Sequence, residues 1–351
     1  MFIAIANAIG RNTRVRTDGN PPVNTVAPVI SGNNIVGSVL TSTNGTWTSD
    51  TVVTGYLYQW TRDGINISGA TSSTYTPVTA DLSKTILCKV AATDSDGTSS
   101  YVNSNSLIIY DANYKDVLDR AIALTFTLPS DAEKIKQNNL MINLKASGAY
   151  TKADLILVPA TTSNSNFGRI DWKNTNRLAT LFNAPNFVSG KGFQGNGSSA
   201  YIDTNFNPVT DGVNYVQNNA SRYIFMDTAS GTGALDGRSA VNTNNSLRAS
   251  SSNQRINQGT TALTGGSFDF TATRGMKSIH RTSSTNVELF NDTTQGSRTA
   301  NSASMTSSNQ LILRSGSGYG AHTISFYMNG ASMVAENTAI VNAINTYLNS
   351  L

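Results

Sequence analysis

Cysteine occurs once in the 351 residues, at Cys88, so no disulfide can form within the chain and its stability rests on packing. Such a chain fits folding in a reducing cytoplasm. Charged residues make up 13%, about half the usual share of roughly 25%, and Ser, Thr, Asn and Gly fill the polar positions instead. That composition favours short strands joined by polar turns over long solvated helices. Glutamate appears only at Glu133, Glu288 and Glu336, none in a short acidic alternation, which argues against the close carboxyl pair of a sandwich-type glycoside hydrolase. Histidine is confined to His280 and His322, far apart and without an intervening cysteine, so zinc-ligand spacing is absent. Each is expected on a strand near a sheet edge. Neither a Gly-x-Ser-x-Gly elbow nor a Walker-type phosphate loop is present, and the Gly-x-Gly pairs at 195 to 197, 231 to 233 and 316 to 320 read as turns. No apolar run reaches the about 20 residues that a membrane helix needs. The formal net charge of +4 is spread thinly, which speaks against nucleic acid as a partner. On these absences the chain is expected not to be an enzyme and to need no cofactor.

What is present divides into segments. The start is apolar, with Phe2, Ile3, Ile5 and Ile9 followed by Arg11, Arg14 and Arg16, the one tight basic group. It lacks the basic residue that opens a secretory signal. It is expected to anchor the chain to a larger assembly, with a Pro/Gly/Asn-rich spacer after it, the whole spanning 1–23. Residues 24–110 carry short β-prone runs separated by turns. Tyr56, Tyr58 and Trp60 fall on one face of a strand at period two, and Asp63-Gly64 marks a hairpin immediately after. Residues 111–150 switch to helical spacing: Tyr114, Val117, Leu118, Ala121 and Ile122 behind an Asp111 N-cap, then a capping box at Ser130 and Glu133. This pair of helices is expected as a short linker bracing the second domain. From 151 to 351 about a dozen β segments alternate with Gly, Asn and Ser clusters, closed by a helix with Ile340, Ile344, Tyr347, Leu348 and Leu351 on one side. The expected fold is mainly β: an immunoglobulin-like (Ig-like) sandwich, a helical linker, and a larger jelly-roll sandwich with a terminal helix.

Two stretches carry resemblances. Gly37, Leu40, Thr41, Gly45, Thr46 and Trp47, then Tyr58, Trp60, Arg62, Asp63, Gly64, Ile67, Gly69, Ala70, Thr71 and Tyr75, resemble bacterial and phage Ig-like repeats. Asp81, Ile86, Cys88, Val90 and Thr93 continue the pattern. Cys88 stands where such a domain has the second cysteine of its inter-sheet bridge; its partner is missing, with Leu40 in the B strand instead. Cys88 is therefore expected as a small buried hydrophobe. Further on, Gly192, Phe193, Gly195, Asn196, Gly197, Tyr201, Ile202, Asp203, Thr204, Asn205, Phe206, Asn207 and Pro208, with Ile324, Ser325, Phe326, Tyr327, Gly330 and Ala331, resemble the concanavalin-like or laminin-G-like domains of tailed-phage structural proteins.

The resemblance implies a virion protein of a tailed bacteriophage, made in the host cytoplasm and displayed on the particle as a capsid decoration or head fibre. The alternative is a tail fibre or baseplate adsorption protein, and a polysaccharide depolymerase is disfavoured by the glutamate pattern. Expected partners are capsid or tail proteins at the N-terminus, further copies of the chain in a homo-oligomer, and host-surface polysaccharide, with no nucleic acid and no membrane insertion. Sugar contact needs an exposed ring beside amides, for which Tyr201, Tyr215, Asn218, Asn244 and Tyr319 are the candidates. No metal is required by the pattern. Were a cation held it would be calcium on loop oxygens, with Asp203, Asn205, Asp211 and Asp227 as weak ligand candidates.

Overall fold

The computed structural model describes residues 19–231, 233–237, 245–249, 254–258, 268, 270–305 and 307–351. The expected anchoring residues Phe2, Ile3, Ile5, Ile9, Arg11, Arg14 and Arg16 lie outside the described residues. The chain is mainly β and divides between Ile109 and Tyr110 into two units.

In the first unit, the strands Ile30–Ser31, Leu40–Ser42 and Thr74–Tyr75 form one sheet. Gly55–Arg62, Ile65–Asn66, Thr85–Thr93, Val102–Asn103 and Leu107–Ile108 form a second, and Val23–Val26 pairs with Thr46–Thr48 in a small third. Ile30 and Leu40 from the first meet Trp60, Ile86, Cys88 and Val90 from the second in one apolar cluster, the core of an Ig-like sandwich. Trp60 pairs across the ladder with Cys88, stacks on Tyr75 at 5.5 Å and donates from Nε1 to the Ser72 carbonyl at 2.8 Å. Burial pushes the Cys88 thiol pKa up, so it packs as an apolar group. The Asp63-Gly64 turn adopts φ of 47° and 83°, the positive pair that a two-residue hairpin between right-twisted strands requires. Beside it, the buried Asp81 accepts from Arg62 Nε at 2.6 Å, the Tyr75 hydroxyl at 2.7 Å and the Val78 amide at 2.7 Å.

Among the described residues the second unit holds two main antiparallel sheets and a small two-stranded one. The larger runs in the order Asn186–Val188, Gly192–Gln194, Thr323–Gly330, Ala220–Thr228, Gly275–Arg281, Asn286–Asn291, Thr294–Thr299, with Ala153–Leu157 also pairing with Thr323–Gly330. The smaller runs Thr180–Phe182, Tyr201–Asp203, Leu311–Ile312, Ala234–Gly237, Leu247–Arg248. Leu155, Phe193, Ile224, Ile279, Leu289 and Tyr327 on the first face Ile202, Leu235, Leu247 and Ile312 on the second across one core.

The central strands of the large sheet are buried on both faces, where a two-sheet sandwich alone would leave one face wet. Helices account for the second cover. They are α1 (Ala112–Ala123), α2 (Asp131–Ala146), α3 (Ala149–Lys152) and α4 (Asn337–Leu348). α2 packs on α4, and Ser278 of the large sheet donates to Asn337 Oδ1 at the start of α4. The segment read from sequence as a linker thus belongs to the second unit. Asp111 caps α1 through the Asn113 amide at 3.0 Å, and Ser130 caps α2 through the Glu133 amide at 3.2 Å. Glu133 does not close the capping box. Its buried carboxylate accepts instead from Gln137 Nε2 at 2.9 Å and from the amide and hydroxyl of Thr162, tying α2 to the loop after the first strand. No helix among the described residues is long and apolar enough to cross a membrane.

Candidate functional site

A column of four flat groups stands at one place on the smaller sheet of the second unit. Phe182 and Tyr201 are direct cross-strand partners, and their rings stack at 4.7 Å with 3° between planes. Arg314 lies with Cζ 4.6 Å from the Tyr201 ring centroid and 5.4 Å from that of Tyr319. The Tyr201 and Tyr319 rings are 6.3 Å apart and tilted at 50°, so Arg314 lies against both rings at one side of that pair rather than stacked between them. Phe182 and Arg314 both lie against Tyr201, and Phe182 is 40% exposed.

Local backbone geometry places the column. Leu313 is a bulky residue at φ 67°, a costly left-handed conformation for a branched side chain. It separates the strand Leu311–Ile312 from the hairpin Arg314–Ser315 and Gly318–Tyr319, in which Arg314 is the direct partner of Tyr319. Backbone bonds on both sides hold it: the Leu313 amide donates to the Leu235 carbonyl at 2.7 Å, and its carbonyl accepts from Gly320 at 2.9 Å.

Beneath the hairpin the three Gly-x-Gly pairs that read as isolated turns come together. A Cβ on Gly195 would fall 2.0 Å from the Gly320 carbonyl oxygen, and one on Gly320 would fall 2.1 Å from that of Ala234. Only glycine permits so close an approach of three backbones. His322 joins them, accepting from the Ser230 amide at Nδ1 (3.0 Å), with Nε2 3.3 Å from the Gly233 carbonyl. Burial depresses its pKa, and the neutral tautomer with hydrogen on Nε2 serves both contacts. Gly195→Ala is expected to cost roughly 1–3 kcal/mol by overpacking; an unchanged thermal midpoint would show that the backbones separate freely.

Several polar groups at the column have no protein partner among the described residues. The Tyr201 and Tyr319 hydroxyls make no hydrogen bond, and Arg314 uses only Nε, donating to the Gly316 carbonyl at 3.2 Å. Next to Phe182 and Tyr201, the exposed loop of Asn196 and Ser198 is tied by the Asn196 side chain, which accepts from the amides of Ser198, Ser199 and Ala200.

The sequence candidates fare unequally. Tyr201 and Tyr319 come together, their ring centroids 6.3 Å apart. Tyr215 is corrected to a core residue: it is fully buried, its hydroxyl reaches Asn257 Oδ1 at 3.2 Å, and burial raises its pKa. Asn218 is exposed in the turn bridged by Val216 and Asn219, with no contact to the column. Asn244 lies outside the described residues. The cation candidates are not brought together. Asp203 accepts from the Asn205 amide and Asn309 Nδ2, Asn205 donates to the Leu178 carbonyl, Asp211 accepts from the Asn207 amide, and Asp227 pairs with Arg274 and Lys191. Among the described residues no three His, Cys, Asp or Glu side chains cluster. His280, expected near a sheet edge, is on a central strand and fully buried. Phe182 and Arg314 were missed. Their signal was the spacing of an aromatic in a strand end and an Arg two residues before Gly316, both too common to single out.

No protein-family model matches the chain, and no curated protein does. Among solved structures, it is similar to a mutant Trypanosoma rangeli sialidase displaying trans-sialidase activity, at 12% identity and TM-score 0.40, covering 92% of this chain and 53% of that one. Domain 4 of an extracellular arabinanase from Geobacillus stearothermophilus, in complex with arabinotriose, is similar at 12% identity and TM-score 0.34, over 53% of this chain and 99% of that one. The binding domain of botulinum neurotoxin DC is similar at 10% identity and TM-score 0.36, over 57% and 52%. The chain thus spans about half the length of the sialidase. Sialidases and a domain of an arabinanase in this set overturn the expectation that the chain is not an enzyme. At these identities and TM-scores the likeness assigns neither a reaction nor a catalytic residue.

Proposed function

We propose that the second unit binds carbohydrate at the Phe182 column, and that the chain is a surface protein of a tailed-phage particle, a capsid decoration or head fibre, in which the Ig-like unit is a spacer. The observation that carries the glycan reading is a phenyl ring 40% exposed, clustered with two tyrosine hydroxyls that have no partner among the described residues and a guanidinium of which only Nε has one. A sugar presents a C–H face to a ring and hydroxyls to the groups around it, so this is the combination it requires. The placement on a virion is supported by the sequence resemblances of both units, and a tail fibre or baseplate position is the second reading. Weak single-site contacts repeated over many copies would give avidity.

The test is binding of the full chain to an array of bacterial surface polysaccharides, with Phe182→Ala as the variant. Loss of that ring is expected to weaken binding by roughly tenfold or more, as removal of an anchoring aromatic does. Equal binding by the variant would remove the column from the site. Mass spectrometry of the bound polysaccharide would reveal any cleavage, and cryo-electron microscopy of particles would place the chain on head, on tail or on neither.

A further inference from the structure

We infer that the column selects sugars bearing a carboxylate, a deepening that rests on the glycan reading above. Arg314 lies against two tilted rings, its Cζ 4.6 Å from the Tyr201 centroid and 5.4 Å from that of Tyr319. Cation–π contact with both rings restrains the guanidinium and leaves its nitrogen edge for hydrogen bonding. Of that edge only Nε is used, toward the Gly316 carbonyl. No carboxylate among the described residues lies within ion-pair distance of it.

A second cation stands beside it. Arg248, at the end of the strand Leu247–Arg248, brings Nη2 close to the hairpin, 3.7 Å from where a Cβ on Gly318 would sit, and it too has no carboxylate partner among the described residues. The acid on the same strand as Tyr201, Asp203, is occupied by Asn309 Nδ2 at 3.0 Å and the Asn205 amide at 2.8 Å. Two cations without carboxylate partners among the described residues, one of them restrained by contact with two rings, suit a planar anion. The fork of a guanidinium matches the two oxygens of a carboxylate. A sugar unit lying along the edge of the column would place an acidic substituent at the Arg314 edge. The ligand class is therefore a uronic or other carboxylated sugar unit within a polysaccharide.

The experiment compares polyuronates (alginate, polygalacturonate, hyaluronate) with their carboxyl-reduced forms, in which the carboxylate becomes a hydroxymethyl group, at 0.15 M salt. The full chain is used, with Arg314→Gln, Arg314→Lys, and Lys89→Gln in the first unit as a charge control. At least one polyuronate is expected to bind roughly tenfold or more tightly than its reduced form. That difference is expected to vanish in Arg314→Gln, to fall in Arg314→Lys, which keeps the charge without the fork, and to persist in Lys89→Gln. Equal binding of acidic and reduced polymers, both abolished by Phe182→Ala, would overturn the inference while leaving the glycan site standing. A preference that Lys89→Gln reduces as much as Arg314→Gln would assign it to net charge and overturn the inference as well. Binding of no polymer, acidic, reduced or from the surface-polysaccharide array, would remove the glycan site and the inference with it.

Discussion

Replacing Asp236 with alanine is expected to destabilise the second unit by about 3–5 kcal/mol. Asp236 and Arg222 are both fully buried between the sheets, joined at 2.7 Å. The same carboxylate accepts from the Tyr327 hydroxyl at 2.9 Å and the Leu247 amide at 3.1 Å. Removing it leaves a buried guanidinium, a buried phenol and a backbone amide without their acceptor, and the guanidinium dominates because an unpaired charge cannot be relieved by small shifts. Arg222 also donates to the Arg255 carbonyl, so the substitution is expected to loosen residues 254–258 first. Arg281, its diagonal neighbour on the same sheet face, grips the next carbonyl, Ile256, at 2.8 Å. Hydrogen exchange along Ala220–Thr228 would read the loss in this unit alone, since two units need not unfold as one transition. The double variant Arg222→Met, Asp236→Leu is expected to recover most of it, because apolar side chains of similar size need no counter-charge. Should Asp236→Ala exchange like the parent, the pair adds nothing to stability.

How much of this was legible in the sequence depended on whether a residue's role was local. The Asp63-Gly64 turn, the Ser130 cap and the shared face of Tyr56, Tyr58 and Trp60 follow from spacing within a few residues or from one strand's alternation, and all are found. Roles set by distant partners were hidden. Arg222 and Arg281 carried no signal of their own, because nothing nearby in sequence announces Asp236 or the carbonyls of 254–258. One signal was available and carried more than was taken from it: in Ser221–Met226 the apolar residues Tyr223 and Phe225 lie on one face and Ile224 and Met226 on the other. A strand apolar on both faces demands two covers. The second cover is the helical layer, whose first two helices read in sequence as a linker bracing the second domain. Tyr215 was misplaced for a related reason, since a tyrosine among asparagines looks like a surface loop until Asn257 is seen folding over its hydroxyl. The three Gly-x-Gly pairs each made sense as a turn, and only their convergence on His322 explains why glycine is needed at Gly195 and Gly320.

His280 is expected to make the second unit acid-labile. It sits fully buried on a central strand, edge-on to Tyr223 at 5.0 Å and Phe290 at 5.3 Å. Its Nδ1 accepts from the Met333 amide at 3.2 Å, so the hydrogen is on Nε2, 3.1 Å from Ser278 Oγ, which in turn donates to Asn337 at the start of α4. Protonation would force a second N–H toward the Met333 amide and place a cation between apolar rings beside a helix N-terminus. Burial accordingly pushes the pKa down from 6.5 to about 3. The unfolded chain takes up a proton below pH 6.5 that the folded chain refuses until about pH 3, so stability is present above 6.5 and lost as the pH falls through that window. Between pH 7 and pH 4.5 this one site removes about 3 kcal/mol. Asp171 works the other way: its burial raises its pKa to about 6, so protonation as the pH falls below that value favours the folded state. The raw pH profile therefore mixes opposing sites, and the informative quantity is the difference between the parent and His280→Gln, in which Asp171 is unchanged. Hydrogen exchange along Gly275–Arg281 is expected to show the parent losing about 3 kcal/mol more than the variant over that interval. Parallel profiles would mean that His280 is protonated in the folded state, and that the sheet opens to water at the N-terminal end of α4 far more readily than its packing implies.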